Sequence, residues 1–101
     1  MNPRRVRFTS TAHRQVLREK QCWLENRIHR DVFVAEFEEV LRVLSLLPGS
    51  GTPYPQAGVP GLRRMYVRKI ACHAYYTFDE HDVIVHALWG AFRGHGPRLD
   101  P

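Results

Sequence analysis

The sequence predicts an α+β domain in which a helical hairpin packs on a small antiparallel sheet, in the order β-α-α-β-β-β. Three observations carry that expectation. Residues 62–93, LRRMYVRKIACHAYYTFDEHDVIVHALWGAFR, contain three runs of β-branched, aromatic and small apolar residues, separated by Arg68-Lys69 and by Asp79-Glu80-His81-Asp82, as two hairpins require. Residues 33–47 set Phe33, Phe37, Val40, Leu41, Leu44 and Leu47 at helical spacing, with Glu36, Glu38, Glu39 and Arg42 between them. Residues 48–61, PGSGTPYPQAGVPG, hold four prolines and four glycines, which excludes regular helix or strand there. A chain of 101 residues is one domain, spanning 1–101, with a single modest core.

In chain order, RRVRFT (4–9) alternates arginine and threonine with Val6 and Phe8, as a short edge strand does, and arginines on an edge discourage stray pairing. Thr9, Ser10 and Thr11 can cap the helix that follows, because a hydroxyl accepts a bond from an otherwise unpaired N–H of the first turn. That helix is expected to run to about Arg30, with Val16, Leu17, Trp23, Leu24 and Ile28 inward and Trp23 a core anchor rather than a stacking platform. Asp31 can cap the second helix, which stops at Pro48-Gly49, where proline cannot continue it and glycine suits a left-handed turn. In the sheet, side chains alternate between faces. Ile70, Cys72, Ala74, Tyr76 and Phe78 form the core set, with Met65 and Val67 beside them; Arg64, Tyr66, Arg68, His73, Tyr75 and Thr77 face away. The run Val83–Trp89 is apolar except at His86, as expected for a strand covered on both sides.

Composition narrows the function classes. Hydrophobic residues make up 44% of the chain, so it is globular and not disordered. No apolar run approaches the roughly 20 residues of a membrane helix, and the basic N-terminus lacks the apolar segment of a secretory signal. A cytoplasmic protein without a membrane partner is expected. Cys22 and Cys72 read as two small buried thiols, and the six histidines show no paired ligand spacing, so no metal site and no cofactor are expected. Net charge is +5, concentrated in residues 1–30, where eight Lys and Arg stand against two Glu. Such a surface concentrates acidic partners, whether nucleic acid or acidic polypeptide, or simply keeps a small protein soluble.

The order strand, two helices, Pro/Gly loop and three-stranded meander resembles the RelE/ParE family of small bacterial toxins from type II toxin–antitoxin modules. The resemblance covers almost the whole chain and is carried by VRFTSTA, GTPYPQAGVPGLRRMYV, HAYYTF and DVIVHALWGAFRG. Gly61, Arg63 or Arg64, Tyr76 and Arg93 stand where that family has a glycine and arginine before a strand, a tyrosine midway through the next and an arginine after the last. The resemblance implies a toxin neutralised by a cognate acidic antitoxin in a hetero-oligomer, with Val34, Val43 and Leu46 on the second helix as candidates for the antitoxin contact.

Two activities follow from the family. ParE-like members inhibit DNA gyrase; RelE-like members cut mRNA at the ribosome without metal, using cationic side chains around the phosphate and a base that frees the ribose 2′-hydroxyl. The tail LWGAFRGHGPRL is closer to ParE-like members, and the C-terminal tyrosine of the nucleases is missing, its position falling near Leu99. If the chain is RelE-like, His73, Arg93 and His95 are its catalytic candidates. Arg63, Arg64, Arg68, Lys69, Tyr75, His86 and Arg93 are candidates for contact with the target or with nucleic acid. Two other readings remain: an inactive relative that only binds its antitoxin, and a plain nucleic-acid-binding module with Arg64, Tyr66, Arg68 and Tyr75 as its platform.

Overall fold

A computed structural model describes residues 3–26 and 31–99. Strand β1 (Arg5–Phe8) leads into helix α1 (Ser10–Asn26) and helix α2 (Val32–Leu46). Then come β2 (Thr52–Pro53), β3 (Arg63–Val67), β4 (Cys72–Phe78) and β5 (Asp82–Gly90). The five strands form one sheet in the order β1-β5-β4-β3-β2. The meander is antiparallel as expected, but β1 runs parallel to β5, with Val6 opposite Val83 and Phe8 opposite Val85, so the sheet is mixed. The reason is topological: two helices lie between β1 and the meander, long enough for the crossover that parallel neighbours need. Strand β5, whose apolar run predicts cover on both sides, lies inside the sheet between β1 and β4.

Both helices cover one face of the sheet. Thr9 caps α1, its hydroxyl accepting the Ala12 N–H at 3.1 Å. Gln15 reaches from the first turns of α1 to accept the Leu88 N–H at 2.9 Å, which fixes the helix against β5. Ala12 is wholly buried and Val16 and Trp23 pack at the core margin, but Leu17 and Leu24 are exposed, because the buried stripe of α1 runs through 12, 16 and 23 and leaves those two about a third of a turn away. Ile28 and the expected end near Arg30 lie outside the described residues. On α2 the stripe is as read: Phe33, Phe37, Val40 and Leu44 are buried, Leu41 packs at the margin, and Phe33 and Phe37 stack at 5.6 Å.

The ends of α2 differ from expectation. Asp31 occupies the N-cap position with helical dihedrals and makes no side-chain cap bond. Leu47, expected in the stripe, lies past the last turn at φ −133° and is exposed. Pro48 starts a short 3-10 turn in place of the left-handed glycine exit, and Gly49 has no positive φ.

The Pro/Gly segment is more ordered than its composition suggests. It contains two 3-10 turns (Pro48–Ser50 and Pro55–Ala57) and the edge strand β2, which pairs Thr52 with Arg64 and Pro53 with Arg63. Its anchor is Tyr76, wholly buried in β4, whose hydroxyl donates to the Pro48 carbonyl at 2.6 Å and accepts the Gly51 N–H at 2.9 Å. Any side chain at 51 would fall on that hydroxyl and within 2.9 Å of the Arg64 carbonyl, so the close approach requires glycine. Ile70, read as the start of β4, is instead buried in a 3-10 turn (Arg68–Ile70) that ends on Ala71 in the left-handed region at φ 52°.

Strand β5 carries an irregularity the sequence hides. Tyr75 pairs with Ala87, yet Tyr76 pairs with Val85, so β5 has one extra residue, His86, at a bulge. Past it the parity changes: Val83 and Val85 face the helices before the bulge and Leu88 after it.

Candidate functional site

The face of the sheet turned away from the helices carries the chemistry-bearing side chains, as the alternation in β3 and β4 predicts. It is only partly open. Val59 from the Pro/Gly segment and Leu62 just after it close over Tyr75 and Ala87 as a second small core, with Tyr54, Ala57, Trp89 and Leu99 at its margin. The loop and the tail therefore cover two parts of this face and leave a cleft of about 310 Å³ between them, lined by Tyr54, Gln56, Arg64, His73, Tyr75, Trp89 and His95.

Its walls hold each other in place. The Arg64 guanidinium lies 4.8 Å from the centre of the Tyr54 ring, and Tyr54 meets Tyr75 edge-on at 5.1 Å. A cation over a ring face is attracted by the ring quadrupole, so Arg64 is held over the loop aromatic at the cleft wall. His73, opposite Trp89 in the β4–β5 register and opposite Tyr66 in the β3–β4 register, lies 5.1 Å from the Tyr66 ring and 6.1 Å from that of Tyr75. Burial first, and then the charge of Arg64, hold the His73 imidazole below the ordinary histidine pKa. Near neutral pH it is therefore uncharged, able to accept a proton or a hydrogen bond.

The tail completes the wall through Trp89. The indole N–H donates to the His95 carbonyl at 2.8 Å, the His95 ring lies 5.7 Å from the indole, and the Arg93 guanidinium stacks over it at 4.1 Å. Gly96 passes so close to Tyr54 that a Cβ there would stand 2.5 Å from its hydroxyl. Loop and tail thus meet at Tyr54 and Gly96.

Of the residues singled out from sequence, Arg64, His73, His95 and the floor residue Tyr75 line one cleft, and Arg93 joins them through Trp89. Arg63, Arg68, Lys69 and His86 do not. Tyr75 is 1% exposed and spends its ring on Tyr54 and the second core, so it is not a stacking surface; the loop expected to be structureless covers it. Arg63 donates to the carbonyls of Gly51 at 2.7 Å and Gly49 at 3.3 Å and so braces the loop. Arg68 and Lys69 sit in the turn beyond β3, with Lys69 3.4 Å from Glu36 of α2, on the helix side. His86 bonds Thr77 at 2.9 Å beside a separate hollow formed with Thr9, Thr11, Arg98 and Leu99, and burial lowers its pKa. Val34 and Leu46 are exposed on α2, while Val43 is half-buried.

Two wall residues escaped the sequence reading. Trp89 belongs to an apolar run, and only the bulge at His86 turns it outward. Tyr54 lies in the segment set aside as loop; an aromatic between two prolines was the available signal.

The fold matches that of a chain from the chromosomal ParDE TA system of P. aeruginosa, with a TM-score of 0.66 and 13% sequence identity, over 86% of this chain and 95% of that one. No family model matches the sequence, and no curated protein matches it. At that identity the likeness is one of fold: two helices packed on a five-stranded mixed sheet.

Proposed function

We propose that the chain is the toxin of a type II toxin–antitoxin pair, held inactive by an acidic antitoxin and acting on DNA gyrase when released. The observation that carries this is the fold match to a chain of a ParDE toxin–antitoxin system over nearly the full length of both chains. The residues that carry the family resemblance support it, because they have structural work to do: Tyr76 locks the loop to the sheet, and Arg93 stacks on Trp89 at the exposed end of β5. On this reading the toxin acts in the cytoplasm by binding, with the cationic open face against its target.

One observation favours a second activity. An uncharged His73 beside Arg64 in a cleft that His95 also lines, with Arg93 stacked on its Trp89 wall, is a set able to promote metal-free RNA cleavage. His73 would take the proton of a ribose 2′-hydroxyl, whose oxygen attacks the adjacent phosphorus. Arg64 and Arg93 would hold the charge that develops on the phosphate, and the departing 5′-oxygen would take a proton from the His95 side.

Induced expression without the neighbouring gene separates the two, with mRNA integrity and plasmid supercoiling followed in the same cells. Relaxed plasmid or broken DNA with intact mRNA is the expected result. Rapid mRNA cleavage at ribosomes would replace gyrase by the ribosome as the target, and unchanged growth would remove the toxin assignment.

A further inference from the structure

The cleft is the first of three hollows that follow one another along the tail. Residues 94–96 wall the cleft, residues 95–99 wall a second hollow of about 410 Å³, and Arg98 and Leu99 wall a third of about 190 Å³. Opposite the tail stand Arg64 and His73 in the first, Gln56 and Trp89 in the second, and Thr9, Thr11 and His86 in the third. Neighbouring hollows share His95 and Gly96, then Arg98 and Leu99, so they form one stepped groove across the open face.

This groove carries charge of one sign. Arg64 and Arg98 line it, Arg93 stacks on its Trp89 wall, and none of its lining residues is an Asp or Glu. The carboxylates among the described residues lie elsewhere, on α1, on α2 with Asp31 before it, and at the Asp79–Asp82 turn. There they meet other cations: Asp82 stands by Arg5 and Arg7, Glu39 by Arg42 and Glu36 by Lys69. Among the described residues no carboxylate pairs with Arg64, Arg93 or Arg98. Three unmatched guanidiniums along one groove attract a polyanion. Charge alone suits any polyanion, but the uncharged groups between the arginines suit one that carries bases. Tyr66 keeps its ring 48% exposed beside His73, 5.1 Å away, and Gln56 brings an amide donor and acceptor to the second hollow.

We propose that the groove binds a short single strand of nucleic acid, with Arg98, His86 and Thr11 forming a phosphate subsite apart from the Arg64–His73 cleft. A guanidinium and a hydroxyl facing one small hollow are donors that phosphate oxygens accept from. A duplex is too wide to enter hollows of this size. An unpaired strand can lay its backbone along the arginines and turn single bases onto Tyr66 and toward Gln56. The proposal goes beyond the toxin reading, which needs no affinity for free nucleic acid.

The test uses the full chain and fluorescein-labelled DNA strands of about 12 nucleotides and mixed sequence, with binding followed by anisotropy. DNA lacks the 2′-hydroxyl, so the probe survives any cleavage of the kind described above. Affinity should fall as salt is raised, with a slope of log K against log salt of about −0.7 for each phosphate held. Arg98→Gln should weaken binding by about threefold to tenfold and make that slope shallower by about 0.7. Thr11→Glu puts a carboxylate into the third hollow at an exposed first-turn position that suits an acidic residue, so the fold should persist and binding should weaken at least as much. Arg18→Gln removes an exposed charge of α1 outside the groove and should bind as the unaltered chain does. Equal losses with Arg98→Gln and Arg18→Gln would overturn the subsite, since net charge alone would then set the affinity. Equal affinity for the duplex, or tighter binding of polyglutamate, would overturn the occupant. No binding of the strand at low salt would overturn the whole proposal and leave the toxin reading standing.

Discussion

The two faces of the sheet are built to different rules. On the helix side, thirteen buried residues from both helices, three strands and the β3–β4 turn form one continuous apolar core, and Tyr76, whose hydroxyl is bonded twice, is its one polar side chain of any size. On the other side four of the described residues are buried as a second cluster, beneath a loop and a tail, and between those covers lie an arginine, two histidines and two ring systems in a concave space. The first face accounts for stability and spares the second from having to. A cationic, half-wet face costs stability where it is built, and a small domain tolerates it only with a well-filled core behind it.

The largest effect that bears on this contrast is Phe33→Ala, which empties a stacked pair in the main core. It should destabilise the chain by about 3–5 kcal/mol in chemical denaturation. Equal tolerance of that change and of Leu62→Ala in the second core would show that the two faces do not divide the labour as described. Next is Tyr76→Phe, which leaves the Gly51 N–H and the Pro48 carbonyl without their partner. About 2–3 kcal/mol should be lost, with early hydrogen exchange in residues 48–53 if the tyrosine is the loop's anchor.

The pH dependence of stability reads the second face directly. His73 and His86 both have folded-state pKa values below the ordinary 6.5, His73 through burial and then Arg64, His86 through burial. The unfolded chain therefore binds more protons as pH falls below 6.5, and stability should decline from there toward the folded-state values while staying flat above. His86→Gln should flatten part of that decline, and Arg64→Gln should raise the His73 titration midpoint followed by NMR. An unchanged midpoint would separate Arg64 from His73. The smallest effect is a gain: Ala71 holds φ 52°, where a Cβ is disfavoured, so Ala71→Gly should raise stability by up to about 1 kcal/mol, seen as a small rise in Tm.

The sequence by itself determined the elements and the two faces. Helical spacing of Phe33, Phe37, Val40 and Leu44, the Thr9 cap, and the split of β4 between Cys72, Ala74, Tyr76 and His73, Tyr75, Thr77 all stand in the structure, because each is a short-range pattern that the backbone period reads out. It also marked Arg64, His73, Arg93 and His95. Only the tertiary structure decided what these residues meet. The parallel seat of β1 depends on where two helices carry the chain. The outward turn of Trp89 depends on one extra residue in β5, invisible until β4 is paired beside it. The burial of Tyr75, the bracing role of Arg63 and the partnership of Tyr54 with Arg64 arise because a proline- and glycine-rich segment, with no period of its own, packs by contact with sheet residues well separated from it in sequence. Local periodicity fixes which way a side chain points; closure of distant segments decides what it faces.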